Sequence, residues 1–321
     1  MFFKTWMSYI KDDARIRDIV IPGAHNSISH EMGPIAKCQQ DGIYKQYESG
    51  VRFFCIRLTT DSFNVIRASH GLAKGKPFEN HLRELARVIE ETLTEFLILD
   101  IRPYYDKKIG PLNIKFKVNS IALDALLNKY LPVEYELVDS NLPNMTMREI
   151  RTSGKKFCIM RGLTQIKTDH NKDGDVTEYY RFNTSRGVDF DCTMLWNKRI
   201  YGYNAENFCE NAPSLLESET PGGLVWFQTQ QTPNLNTEIG ISSPEKLDQQ
   251  IRKNFYKMIN KIQSDKRYLD KSNIICGDFM TVDMLKTASI LNLNLSKNIV
   301  QQSLINEFKT NIQVALQTIT K

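Results

Sequence analysis

Along this chain, short apolar and β-branched runs alternate with longer stretches of helical period. Eight runs read as strands, over residues 18–22, 52–58, 64–69, 96–102, 156–161, 189–196, 224–230 and 273–279. Between 77 and 94, Phe78, Leu82, Leu85, Ile89 and Leu93 recur at steps of three or four, which predicts a helix with one buried face. Further helices are expected over 243–264 and after Ser296. Strands alternating with helices imply a largely parallel sheet covered by helices. Eight of them in 321 residues suggest an α/β chain closed as a (β/α)8 TIM-like barrel, read as a single domain over 1–321. One interval breaks the rhythm. Only "TTDSF" separates the second and third strands, whereas a parallel crossover needs about a dozen residues or more. Either these two strands pair as a hairpin or the barrel is distorted there. The turn-rich stretch 204–223 is long for a compact domain, and loops of that size are often functional.

Composition narrows the class. With 41% hydrophobic residues the chain can bury a large core, and no apolar run reaches the ~18 residues that would span a bilayer. The start, "MFFKTWMSYIKDD", has two lysines and no long apolar centre, so it does not read as a signal peptide. The compartment stays open between the cell interior, at a membrane surface, and secretion after loss of a leader. A net charge of +5 with scattered basic residues argues against nucleic-acid binding and permits attraction to an anionic membrane. The six cysteines form no CxxC pair, and Cys55, Cys158 and Cys276 lie within apolar runs. That pattern is neither a disulfide framework nor a zinc site.

Three strand ends carry chemistry. "VIPGAHNSISH" puts His25 after a Pro-Gly turn at the end of the first strand, and "NVIRASHG" puts His70 at the end of the third. In an α/β barrel, strand C-termini face the active-site mouth. In "GVRFFCIRL", alternation sets Phe53, Cys55 and Arg57 on one face and Phe54, Ile56 and Leu58 on the other. Taken alone, Arg57 reads as a strand-end arginine reaching solvent, and each histidine as a loop residue. Together, two imidazoles suit paired acid–base work at neutral pH, and an arginine between them suits a phosphate.

These segments resemble the X-region of phosphatidylinositol-specific phospholipase C. "IPGAHNS", "CQQDGIYKQYESGVRFFCIRL" and "SHG" are similar to the small bacterial enzymes and to the trypanosomal enzyme that cleaves glycosylphosphatidylinositol anchors. "TWMSYIKDDARIRDIVIPGAHNS", "EFLILDIRPYY" and "NIICGDFM" extend the likeness. It is strong over 6–105, patchy to 161 and thin until the strand holding Asp278. The resemblance implies a distorted α/β barrel and an intramolecular phosphoryl transfer that releases diacylglycerol and a cyclic inositol phosphate. It implies His25 as general base, His70 as general acid, Arg57 on the phosphate oxygens and Asp278 as orienter of His25. Asn26 supplies neutral hydrogen bonds, Arg161 grips inositol hydroxyls, and Arg102 lines the pocket. The implied partner is a membrane phosphoinositide, plain or glycosylated, met in transient surface contact by a monomer.

Two departures qualify the match. Asn26 stands where many bacterial members carry aspartate; animal members use asparagine there to help bind calcium, with acids on the next strand. This chain has Cys55 and Arg57 at those positions, neither a hard oxygen ligand, which argues for no metal. Cys55 also replaces the aspartate that would pair with the neighbouring arginine, which leaves open a slow enzyme or a barrel that only binds inositol phosphates or lipid headgroups. A calcium-dependent phospholipase C is the other alternative. "DHNKDGDVTEYY" imitates a calcium loop through Asp169, Asn171, Asp173, Gly174 and Asp175, but Tyr180 stands where a closing glutamate is needed, so a solvated acidic turn is the simpler reading. Trp196, Trp226, Tyr201 and Tyr203 fit either a lipid-facing rim or core filling, with Trp226 assigned to the core.

Overall fold

The structure, a computed structural model, describes residues 2–103, 107–109, 112–114, 117–163, 165–167, 174–175, 184–195, 205–218, 222–230, 243–280, 289–294 and 297–319. Thirteen strands lie among them: β1 Ile21–Ala24, β2 Phe53–Thr60, β3 Ile66–His70, β4 Ala73–Pro77, β5 Leu97–Pro103, β6 Lys107–Ile109, β7 Leu112–Ile114, β8 Phe157–Met160, β9 Gln165–Lys167, β10 Gly174–Asp175, β11 Cys192–Leu195, β12 Leu224–Gln228 and β13 Ile274–Gly277. The principal helices are α1 Ile43–Glu48, α2 Phe78–Glu91, α3 Ser120–Tyr130, α4 Met147–Ser153, α5 Ala205–Asn211, α6 Pro244–Ser264, α7 Lys266–Leu269 and α8 Ile305–Ile319.

Parallel pairing runs β8–β5–β2–β1–β13–β12–β11. A single parallel bridge between Met160 and Val188 links β8 to the segment ahead of β11, whose own outer edge pairs with β9. Seven of the eight expected strands form this curled parallel run. The remaining one, β3, pairs antiparallel with β2 and then with β4, so the short "TTDSF" link makes a hairpin and locates the distortion. β1 meets only Phe53 and Phe54 of β2. Above that point the edge of β2 is taken by β3 at Leu58–Thr60.

Period-two alternation sorts the side chains. Phe53, Cys55, Ile98, Cys158, Met194, Trp226, Ile274 and Cys276 fill the interior. Phe54, Ile56, Leu58, Leu97, Leu99 and Ile101 pack outward against Leu82, Leu85 and Ile89 of α2. Leu195, Val225, Phe227 and Ile275 pack on the other side with Phe208, Ile251, Phe255 and Met258 of α5 and α6. The helix predicted over 77–94 ends at Glu91. Leu93 falls beyond the Thr92 cap and is 89% exposed, so it belongs to no buried face. Ser243 caps α6 by accepting from Lys246 N–H, and Pro244 opens its first turn, where a missing N–H costs nothing.

The two arginines of "GVRFFCIR" part ways. Arg52 lies at the N-terminal end of β2, buried, and donates to Glu95 and to the carbonyls of Phe3, Lys4, Tyr47 and Val51. It anchors the N-terminal segment, whose Trp6, Met7 and Ile10 join the interior cluster. Arg57 lies at the opposite end. Trp226 is fully buried against Phe53 at 4.9 Å, which settles its core role.

Candidate active site

The site grows from the turns after β1 and β13. Gly23 lets these strands approach: a Cβ there would lie 3.0 Å from the Phe53 ring and 3.1 Å from Cys276 Cβ. After Ala24 the chain turns. His25 N–H donates to Gly277 O (2.9 Å), and Ser27 N–H to Cys55 O (2.8 Å), which docks the turn on β2 two residues before Arg57. Asn26 takes a left-handed φ of 43°, a conformation asparagine tolerates better than most residues. The turn thus aims His25 across the mouth while its backbone stays bonded.

His25 Nδ1 lies 2.7 Å from Asp278 Oδ1, and Asn26 Nδ2 lies 3.2 Å from His25 Nε2. A carboxylate can only accept and an amide NH2 can only donate. The pair of contacts therefore fixes a proton on Nδ1 and leaves the lone pair on Nε2. That tautomer is the one a general base needs. Asn26 Oδ1 is buried with no hydrogen-bond partner among the described residues.

His70 faces His25 with ring centroids 6.2 Å apart and planes at 89°. It reaches the mouth by a different route from the one its strand-end position implied. β3 is antiparallel, so its C-terminus points back down the barrel; the hairpin folds it over the His25 turn. His70 Nδ1 lies 2.8 Å from Ala36 O and so carries a proton there.

The guanidiniums form a second cluster deeper in the mouth. Arg57 is 8% exposed and Arg102 is fully buried. Arg57 donates to Asp100 Oδ2 at 2.7 Å, and Arg102 Nε to Asp100 Oδ1 at 2.5 Å. Both cations also lie over the Trp226 ring, at 5.7 and 5.6 Å. Asp100 stands opposite Cys55 in the register, as Arg102 stands opposite Arg57. The carboxylate that Cys55 lacks is therefore supplied from the neighbouring strand. Burial pushes the Cys55 thiol up to about 11, so at neutral pH it brings no charge of its own.

Arg161 follows β8, two strands round from β2, and donates to Asp189 Oδ2 at 2.8 Å. Asp169, Asn171, Asp173, Trp196, Tyr201 and Tyr203 lie outside the described residues. Gly174 and Asp175 form a short strand paired with β9.

Sequence reasoning missed four residues. Gln39 donates to His25 O (2.7 Å) and Gly277 O (3.0 Å) and accepts from Met280 N–H, sewing the β1 turn to the β13 turn. Cys38 lies beneath both rings, its Sγ 3.5 Å from His70 Nδ1 and 3.7 Å from Asn26 Nδ2. Asp100 bridges the two arginines, one carboxylate oxygen to each, and Asp189 holds Arg161. Only Asp100 left a signal: in "ILDIR" two charges share one face of an otherwise apolar strand.

As a metal cage the site is poorly matched to calcium. His25, Cys38 and Asp278 offer donor atoms within 4.8 Å of one another, but only one is an oxygen. Burial and the nearby Asp278 charge hold the Cys38 thiol well above its usual pKa, in the neutral form that binds metals weakly.

No family model matches the chain. It is 38% identical over 74 residues to the 1-phosphatidylinositol phosphodiesterase of Staphylococcus aureus strain Newman, covering 22% of this chain and 24% of that protein. To the protein of the same name from Listeria monocytogenes it is 32% identical over 101 residues, covering 29% and 28%. The matched sequence thus spans about a quarter of these relatives. Among solved structures, phosphatidylinositol-specific phospholipase C from Listeria monocytogenes superposes with a TM-score of 0.58 at 17% identity, covering 89% of this chain and 97% of that one. A point mutant of the Staphylococcus aureus enzyme gives 0.56 at 15%, covering 89% and 96%. The chain thus shares its fold with solved phosphatidylinositol-specific phospholipase C structures, and a stretch of about a quarter of its length is similar to the bacterial 1-phosphatidylinositol phosphodiesterases.

Proposed function

We propose that the chain cleaves phosphatidylinositol, plain or glycosylated, to diacylglycerol and a cyclic inositol phosphate without a catalytic metal. One observation carries this reading: two imidazoles face each other at 6.2 Å, one oriented by a carboxylate, beside a buried arginine. His25 Nε2 takes the proton of the inositol 2-hydroxyl as its oxygen bonds to phosphorus. The phosphorus–glycerol oxygen bond breaks, and His70 gives its Nε2 proton to the departing oxygen. Arg57 neutralises the non-bridging oxygens, where charge gathers in the transition state. Asn26 Oδ1 is free to accept from an inositol hydroxyl, and Arg161, tied to Asp189, grips others. Arg102 acts through Asp100 rather than on substrate.

The lipid is met at a membrane surface. Ile35 and Leu72 are each 60% exposed, and they flank the mouth: Ile35 precedes the carbonyl that holds His70, and Leu72 follows His70 by two residues. No helix among the described residues is long and apolar enough to cross a membrane.

The test is release of cyclic inositol phosphate from vesicles of plain and of glycosylated lipid, with and without chelator. Activity unchanged by chelator supports the reading. Activity abolished by chelator points to a calcium enzyme, and none in either condition to a binding barrel.

A further inference from the structure

A second set of ligand-type side chains stands close behind the catalytic turn. His30 ends the segment that begins at His25. His81 and Glu84 lie on one face of α2, three residues apart. One donor atom from each of His30, His81 and Glu84 lies within 4.8 Å of the others. The two rings meet edge to face, centroids 5.5 Å apart at 82°. His81 is 2% exposed, and neither of its ring nitrogens has a hydrogen-bond partner among the described residues; nor has Nδ1 of His30. Buried polar nitrogens are almost always satisfied, so two adjacent imidazoles with orphaned nitrogens beside a carboxylate call for a ligand. Glu84 is held in place from the other side: its Oε2 accepts Tyr44 N–H at 3.1 Å, and Gly42 makes room, since a Cβ there would lie 2.6 Å from that oxygen.

We propose that His30, His81 and Glu84 form a structural site for a transition-metal ion of the zinc class. Two imidazole nitrogens and one carboxylate oxygen are the borderline donor set such an ion prefers over calcium or magnesium. Bond lengths near 2.0–2.1 Å would draw the donors to roughly 3.4 Å apart, so the side chains close by about 1 Å, with water as fourth ligand. The ion would tie the turn that carries His25 and Asn26 to the helix that follows the His70 hairpin. It therefore braces the two catalytic elements against each other without touching substrate. This site is separate from the His25–Cys38–Asp278 group, and the catalytic step proposed above does not use it.

The experiment is zinc titration of the full chain after chelator treatment, by calorimetry and thermal melting, with cobalt absorption as a second readout. Wild type should bind one equivalent and gain at least about 3 °C in Tm. His81→Phe should lose both effects while keeping its activity in chelator, Glu84→Gln should weaken binding at least tenfold, and His25→Ala should bind as wild type does. Absence of stoichiometric binding by wild type would overturn the proposal. So would binding that survives His81→Phe but is lost in His25→Ala, which would put the ion on the catalytic group. Should His81→Phe fail to fold by circular dichroism, Glu84→Gln decides, and unchanged affinity there counts against the site.

Discussion

At the scale of single residues, the proposed base, His25, is defined by its two neighbours rather than by its own type. Asp278 claims one nitrogen of His25 and Asn26 approaches the other, so removal of the ring leaves no substitute. His25→Ala should lower turnover by about 10³-fold or more with the far-UV spectrum intact; retention of most activity would refute the assignment. Asp100 is the residue on which the arginine pair depends. Asp100→Asn strands two buried guanidiniums, and breaking a buried pair in this way costs about 3–5 kcal/mol. Denaturant unfolding should show that loss, and activity should fall with it. Because Cys55 faces Asp100 across the register, adding Cys55→Asp to Asp100→Ser should restore much of both. A double variant no better than Asp100→Ser would show that the carboxylate cannot be moved across that pair. The high pKa of Cys55 also makes a plain forecast: at pH 8 iodoacetamide should leave Cys55 of the folded chain unalkylated, as read by mass spectrometry, since little thiolate is present.

At the scale of elements, the strands were legible because their period is written in the side chains, and each of the eight expected runs overlaps a strand of the structure. His25 and Asp278 were legible because each sits just past a strand end, and Arg57 because it is a charge on the inner face of an apolar strand. Direction was not legible. The alternation of 64–69 reads the same whether the strand runs up or down, so the antiparallel course of β3 emerged only with its partner. Register was not legible either, which hid the compensation of Cys55 by Asp100: that relation exists only between two strands. Strand β4, "AKGKP", has no apolar face to announce it and is held by hairpin geometry. On α6, burial pushes the Asp248 carboxyl up to about 7 despite its ion pair with Arg252. The unfolded group titrates near 3.8, so between about pH 4 and 7 the native state holds a proton that the unfolded chain has released. That stabilising contribution is whole below pH 4 and is lost as pH rises through 7. Asp248→Asn should flatten the slope; an unchanged pH–stability curve would remove Asp248 as its source.

At the scale of the molecule, the barrel separates stability from chemistry. Arg52 and Glu95 secure the N-terminal end, and the opposite end carries the two facing imidazoles, the arginine cluster and two exposed apolar residues. Ile35→Asp with Leu72→Asp should depress hydrolysis of lipid in vesicles while sparing a soluble short-chain analogue. Equal loss on both would mean that these side chains serve the site rather than the membrane. The central claim is that paired imidazoles and a buried arginine suffice for the phosphoryl transfer. Its most direct test is phosphorus NMR of phosphatidylinositol turnover by the chelator-treated wild type, well below its Tm. The account predicts a cyclic inositol phosphate signal that builds at full rate in chelator and vanishes in His25→Ala. Turnover that needs added calcium, or that yields only the acyclic phosphate from the start, would contradict it.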